Sequence, residues 1–170
     1  MGSDGLEGKS MAEAREALEA LAQDRFAFVV TDLGFAKGPT ERGASRTAYS
    51  YKNRHQTAQI GVQTLLDFGG EFAEVSLVRL ESGKWPKLGQ RENQSRVVRI
   101  ALVSLLRDVL LVKDAQLDQA AELARTRRPW DAKLAARILD ICHDLLARHS
   151  VLLLQQPIDV LFPLHGKARA

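Results

Sequence analysis

The sequence predicts an α+β fold, in which an N-terminal helix precedes a three-stranded antiparallel meander and three to four helices close the chain. Apolar residues recur at helical spacing before Gly34, alternate with polar residues from about residue 48 to residue 80, and return to helical spacing in the last third. A sheet with one polar face needs apolar cover on its other face. We therefore expect the C-terminal helices to pack on one face of the sheet.

Length and composition restrict the class of protein. A chain of 170 residues, with 45% hydrophobic and 26% charged residues, is typical of one soluble globular domain. We expect this domain at 11–164, a flexible leader at 1–10 of the kind that expression vectors add, and a flexible tail at 165–170. Cys142 is the one cysteine, which excludes an intramolecular disulfide, favours a reducing compartment and so predicts a cytoplasmic protein.

Hydropathy and net charge give no indication of a membrane or of a strongly cationic surface. The most apolar segment is VVRIALVSLLRDVLLV, Val97 to Val112, and three charged residues interrupt it. It is too short and too charged for an ordinary membrane span, so we interpret it as part of a core helix near Ser95 to Val112. The net charge of +3 does not by itself indicate nucleic-acid binding.

The first helix is predicted from Met11 to Leu33. The run EAREALEALAQDR consists mainly of good helix formers, and its apolar stripe continues through FAFVVTDL with no intervening turn residue. Gly34 can adopt the left-handed conformation that ends a helix, and Phe35 can then pack back onto the last turn. We therefore predict that Phe26 to Leu33 is helical and not a strand.

Three strands are predicted from alternation of apolar and polar residues in TAYSY, AQIGVQTLL and EFAEVSLVRL. We place a polar hairpin connection at KNRH, residues 52–55, and a tight turn at Gly69 and Gly70. The polar segment AKGPTERGAS that precedes them is assigned no strand.

Two aspartates predict where later helices begin. Asp114 and Asp131 are suitable N-caps for helices that extend to about Thr126 and about Arg148. Pro157 can occupy the first turn of a short terminal helix, PIDVLFPL.

The sequence contains no specific motif for catalysis. We find no HExxH, paired CxxC, P-loop, serine elbow or dinucleotide fingerprint, so we expect no enzymatic activity, no cofactor and no metal site. Asp140, His143 and Asp144 fall on adjacent helical turns, but a metal needs three or four ligands, and a structural role is favoured. Cys142 lies on an apolar stripe and is expected to be buried and unreactive.

The best candidate for a contact surface is the segment SGKWPKLGQRENQS, residues 82–95, which has no apolar period. We predict an exposed loop in which Lys84, Trp85, Lys87 and Arg91 bind a partner, because tryptophan and arginine are enriched at the energetic centres of interfaces. A second interpretation of Trp85 stays open, in which the indole folds back over the sheet.

Basic clusters at residues 42–55, 84–99 and 125–128 support an alternative function, association with nucleic acid. Tyr49 and Tyr51 precede Lys52 and Arg54, a mixture of aromatic and basic residues that single-strand binders use. Tyrosine is also common in strands, and we favour that structural interpretation for the pair.

The order of motifs resembles a group of small uncharacterised bacterial α+β domains, similar in layout to immunity proteins encoded beside polymorphic toxins. The resemblance covers about Met11 to Leu164 and depends on TDLGF, TAYSY, LLDFGGEFAEVSLVRL and DLLARHSVLLLQQPIDVLF. It implies a non-enzymatic protein-binding module, an inhibitor that occludes an unknown protein partner, and it assigns no functional residue.

Overall fold

The structure is a computed structural model that describes residues 10–55, 58–68, 72–125 and 131–164. The predicted tail, the turn at Gly69 and Gly70, and most of the predicted leader lie outside the described residues. Ser10, the last residue of the predicted leader, caps the first helix. Its hydroxyl accepts the Glu13 N–H at 3.3 Å, and the Glu13 carboxylate accepts the Ser10 N–H at 3.1 Å, which is a capping box.

The N-terminal helix consists of α1 (Met11–Phe26) and α2 (Phe28–Thr31), with a single turn residue between them. Gly34 has φ +75°, and the Phe35 N–H donates to the Val29 carbonyl at 3.0 Å. A left-handed glycine followed by a residue whose N–H returns to the last helical turn is a glycine-terminated C-cap. The predicted helix and its glycine end are therefore confirmed, apart from the interruption at Ala27 and an end at Thr31, two residues before the predicted Leu33.

The main sheet has five antiparallel strands, and its centre is the predicted meander. The strands are β1 (Ala36–Arg42), β2 (Arg46–His55), β3 (Ala58–Asp67), β4 (Phe72–Leu80), β5 (Glu92–Asn93), β6 (Arg96–Val97) and β7 (Arg99–Ala101). The strand order in the main sheet is β1-β2-β3-β4-β7, and β5 and β6 form a separate two-stranded ribbon.

Two details of the predicted meander are wrong. The segment AKGPTERGAS contains β1, an edge strand whose residues are almost all exposed, so it shows no apolar period. KNRH is not a turn, because Lys52 pairs with Gly61 and Asn53 pairs with Ile60 in the β2–β3 ladder. Polar side chains on the edge strand β1 and at one end of the β2–β3 ladder therefore concealed regular backbone pairing.

The predicted core helix near Ser95 to Val112 is wrong in its first half. There the chain forms β6 and β7, and the Arg79 N–H donates to the Val98 carbonyl at 2.8 Å. The free edge of β4 provides hydrogen-bond partners for this apolar segment, and a short apolar run does not distinguish strand from helix by periodicity. The helical part is limited to α3 (Leu102–Ser104) and a π-helical turn (Leu105–Val109).

The C-terminal helices are α4 (Ala115–Arg125), α5 (Ala132–Gln155) and α6 (Ile158–Leu161). The Asp131 carboxylate accepts the Lys133 N–H at 2.8 Å, and the Asp114 carboxylate accepts the Gln116 N–H at 3.0 Å, which confirms both N-caps. Helix α5 extends well beyond the predicted end near Arg148. The predicted short terminal helix is present as α6, and Pro157 is its N-cap residue, one position before the predicted first turn.

The hydrophobic core lies between the helices and one face of the main sheet, here called the inner face. Helices α1 and α5 contact each other, and α5 contacts β4. Within the described residues, no helix is both long enough and apolar enough to cross a membrane. Side chains that are almost fully buried in this core include Leu18, Phe26, Ile60, Leu66, Leu77, Leu139, Leu145 and Phe162.

Candidate partner-binding site

Trp85 lies on the opposite face of the sheet, here called the outer face. A Cβ atom placed on Gly61 would lie 2.3 Å from Trp85 Cη2, and one placed on Gly38 would lie 3.1 Å from Cζ2. The two glycines therefore form a flat surface on which the indole packs. Trp85 is half-buried as a result, so the second interpretation of this residue is the one that the geometry supports.

A row of buried polar side chains crosses the outer face. The Gln63 amide donates to the Ser50 hydroxyl at 2.9 Å, and Arg99 Nη1 donates to the Gln63 amide oxygen. Arg99 is 4% exposed and its Nη2 atom has no hydrogen-bond partner among the described residues. Burial lowers the pKa of Arg99, and the nearby Glu74 carboxylate offsets part of this lowering. This row stabilises the position of residues 82–95, because Arg99 Nε also donates to the Gln90 carbonyl at 3.1 Å.

The four residues predicted to bind a partner differ in their exposure. Lys84 and Lys87 are exposed, whereas Trp85 packs on the sheet. Arg91 is exposed but already forms an ion pair, because its Nη2 atom donates to the Glu74 carboxylate at 2.9 Å. The prediction of an exposed loop therefore describes the lysines better than the tryptophan.

A tight turn places Lys84 at the end of the sheet. The backbone hydrogen bonds between Glu81 and Lys84 measure 3.2 and 2.9 Å, and the two central residues, Ser82 and Gly83, have φ values of +50° and +74°. Positive φ at both central positions is the type I′ conformation that favours glycine and matches the twist of paired strands.

An open cleft of about 550 Å³ lies beside this turn and is here called the basic cleft. It brings together Arg54 from β2, Arg79 from β4 and Arg96 from β6, against one acidic side chain, Glu81. Two of the basic clusters predicted from the sequence therefore contribute to one site, and most of the third, at residues 125–128, lies outside the described residues. Its described lining is Arg54, Gln59, Arg79, Leu80, Glu81, Ser82, Gly83 and Arg96.

Arg79 was missed by sequence reasoning, although the sequence carried one indication of it. Ala73, Val75 and Leu77 place alternate residues of β4 on the inner face, and Arg79 continues that alternation with a charge. A cation at a position that otherwise faces the core indicates that the core ends there.

The arginines of the basic cleft differ in their partners. Asp159, at the start of α6, accepts hydrogen bonds from Arg96 Nη1 at 2.6 Å and Arg79 Nη1 at 3.2 Å. These contacts, with Arg96 the stronger, lower the pKa of Asp159. Arg54 is exposed and has no carboxylate partner among the described residues. Gln59 Oε1, also in the lining, is buried and has no hydrogen-bond partner in the described part of the chain.

The tyrosines considered for base stacking belong to the core. Tyr49 is 5% exposed and Tyr51 is 4% exposed, and burial raises the pKa of each phenol. Their rings are therefore not available to stack on nucleotide bases, which supports the structural interpretation that the sequence favoured.

The helical group around His143 stabilises the contact between α5 and the N-terminal helix. Arg25 Nε donates to Asp140 at 2.6 Å, and the His143 ring lies edge-on to Phe28 with 5.0 Å between centroids. His143 Nδ1 lies 3.0 Å from the Asp144 carboxylate. Among the described residues, no group of three or more potential ligands is arranged to hold a metal ion.

Cys142 is 2% exposed, which confirms the prediction that it is buried. Burial raises the pKa of its thiol to about 12. Low reactivity toward thiol reagents stays a prediction, and it is the expected consequence of a thiol that remains protonated near neutral pH.

A comparison with family models, curated proteins and solved structures found no match to this chain. The function is therefore argued from the residues and their geometry.

Proposed function

We propose that the protein is a non-enzymatic protein-binding module, an immunity-like inhibitor in the sense that the sequence resemblance implies, and that the basic cleft with the neighbouring Lys84 is the centre of its contact surface. The observation that carries the proposal is that arginines from three different strands line one open cleft, in whose described lining Glu81 is the one acidic residue. Arginine is favoured at interfaces because its planar fork binds carboxylates through two parallel hydrogen bonds.

The tryptophan has a supporting role in this proposal. Trp85 packs on Gly38 and Gly61 and thereby fixes the turn that carries Lys84 beside the cleft. Its partial burial makes it a smaller contact than the sequence suggested. The partner is expected to contact mainly the arginines and, to a smaller extent, the exposed edge of the indole.

The first test is binding to the protein encoded by the neighbouring gene, because immunity proteins are encoded beside their toxins. The partner is titrated into the wild type, Arg54→Gln and Arg137→Gln, by calorimetry at low ionic strength. Arg137 is a matched control, since it is exposed on α5 and its substitution removes the same charge. We expect Arg54→Gln to weaken binding by about tenfold, the usual scale for a charge-assisted hydrogen bond, and Arg137→Gln to change it little.

Two results would contradict the proposal. The first is the absence of a complex with the wild type, and the second is a complex that Arg54→Gln and Arg137→Gln affect equally.

Single-stranded oligo(dT) is included as a competitor, because a cleft lined by residues of two basic clusters also favours an anionic polymer. Tighter binding to oligo(dT) than to protein, with a steep salt dependence that Arg54→Gln reduces, would establish the nucleic-acid alternative.

A further inference from the structure

Asp159 lies where an external anion would bind, between two arginines of the basic cleft. Its Oδ1 atom accepts hydrogen bonds from both Arg79 and Arg96, yet its side chain is 73% exposed. Exposed ion pairs of this kind are weak, because water screens the charges and holding the side chains together costs conformational entropy. Another carboxylate can therefore replace Asp159 without disturbing the core.

The hydrogen-bond donors of the cleft are not used up by Asp159. Each guanidinium group carries five N–H donors in a fork that matches both oxygens of a carboxylate. Asp159 takes one nitrogen from Arg79 and one from Arg96, and it offers a single oxygen to both. Arg54 has no carboxylate partner among the described residues. The geometry thus provides for one anionic group more than the described residues supply.

The charges around the cleft favour a carboxylate over a nucleic-acid backbone as that group. The contact with Asp159 shows that the spacing of Arg79 and Arg96 suits a carboxylate. Glu81 also lines the cleft, and its carboxylate accepts the Asn93 amide at 2.6 Å, so its negative charge is held there. A polymer with one charge on every nucleotide would meet this carboxylate, whereas an acidic side chain on a polypeptide presents a single charge.

We infer that the cleft binds a carboxylate on a segment of a partner protein, an inference that rests on the proposed function. Asp159 is then an internal placeholder: its carboxylate pairs with Arg79 and Arg96 until the carboxylate of the partner displaces it. Helix α6 stays docked during the exchange, because Leu161 and Phe162 are both 0% exposed. Only the Asp159 side chain has to turn away. Removing its charge should therefore strengthen binding of an external carboxylate.

The test measures binding of a fluorescein-labelled peptide of alternating glutamate and serine, by fluorescence anisotropy at low ionic strength. Asp159→Asn should bind this peptide about three- to fivefold more tightly than the wild type, the scale of one exposed ion pair. Asp118→Asn is the matched control, since it removes an equal charge from an exposed position on α4 and should leave the affinity nearly unchanged. Asp159→Glu restores the charge and should return the affinity toward that of the wild type.

The double variant Arg96→Gln/Asp159→Asn separates displacement from a general change in charge. If Asp159 competes for Arg96, the gain from Asp159→Asn should largely disappear when Arg96 is absent, because the two substitutions affect one contact. An equal gain in both backgrounds would overturn the placeholder role. So would an Asp159→Asn variant that binds no more tightly than the wild type, provided that its thermal melt is unchanged.

The outcomes for the placeholder and for the proposed function can be distinguished. If the partner protein binds and Arg54→Gln weakens it while Asp159→Asn has no effect, the protein-binding function is supported and the placeholder role is refuted. If Asp159→Asn strengthens binding of oligo(dT) more than that of the glutamate peptide, the inferred carboxylate ligand is wrong. A peptide of alternating glutamine and serine must bind weakly to every variant, since tight binding would show that the carboxylates are not recognised.

Discussion

At the scale of single residues, Asp114 joins the start of α4 to α5 through charge. Its Oδ2 atom lies 2.9 Å from His149 Nε2 and 2.9 Å from Arg148 Nη2, while its other oxygen caps the Gln116 N–H. The hydrogen bond with His149, helped by those from Gln116 and Arg148, lowers the pKa of Asp114 from 3.8 to about 2 despite some burial. The ionised form is therefore the one that stabilises the fold.

We predict that Asp114→Asn lowers the free energy of unfolding at pH 7 by roughly 1–2 kcal/mol, because the amide keeps the N-cap but loses the charge-assisted contacts. The folded-state pKa lies below the unfolded one, so this stabilisation is complete above pH 3.8 and is lost as pH falls toward about 2. Urea unfolding at several pH values measures the difference between the two proteins. Asp118→Asn on the same helix is the control, and an equal loss in both variants would show that Asp114 has no special role.

At the scale of elements, the contact between Trp85 and the outer face depends on the absence of a side chain at Gly61. A Cβ atom there would lie 2.3 Å from Trp85 Cη2 and 3.1 Å from the Tyr51 carbonyl oxygen. The carbonyl belongs to the β2–β3 ladder and cannot move away, so the indole must. The position of residues 82–95 on the outer face is therefore sensitive to one methyl group.

We predict that Gly61→Ala displaces Trp85 into water and destabilises the protein by about 1–3 kcal/mol, the usual cost of overpacking. In a Trp130→Phe background, the fluorescence of Trp85 should shift to longer wavelength. Gly43→Ala is the control, because a Cβ there has its nearest neighbour at an ordinary 3.7 Å. An unchanged emission spectrum in Gly61→Ala would mean that the indole does not rest on this glycine in solution.

The sequence predicted elements well where one face is buried and poorly at the edges of the sheet. Alternation identified the central strands because half of their residues enter the core, and Gly34 marked a helix end because a left-handed residue is required there. Strand β1 escaped prediction since its residues are almost all exposed. Strand β7 was not predicted because it pairs with the edge of β4, and only the tertiary fold brings these two segments together.

At the scale of the whole molecule, the candidate site depends on parts of the chain that are distant in sequence. Arg54, Arg79 and Arg96 come from three strands, and Asp159 comes from the last helix. Composition revealed two of the three arginines as members of basic clusters. Which cations share a cleft, and which carboxylate pairs with them, depends on long-range packing that no local pattern encodes.

The C-terminal segment docks on the ribbon and on the core beside this site. The Val97 N–H donates to the Pro163 carbonyl at 3.1 Å, and Arg96 forms a β-bridge with Leu164. Leu161 and Phe162 are both 0% exposed, so the segment is held by buried apolar surface as well as by the backbone. Loss of either side chain should therefore affect the fold and not the segment alone.

We predict that Phe162→Ala lowers the free energy of unfolding by about 3–5 kcal/mol, because it leaves a cavity where a fully buried ring contacted the core. Val160→Ala on the same short helix is the control, since Val160 is 38% exposed and its truncation should cost less than about 1 kcal/mol. Urea unfolding followed by circular dichroism measures both losses. If Phe162→Ala were as stable as Val160→Ala, the C-terminal segment would not be part of the folded core, and Asp159 would then lack the anchored helix that positions it between the arginines.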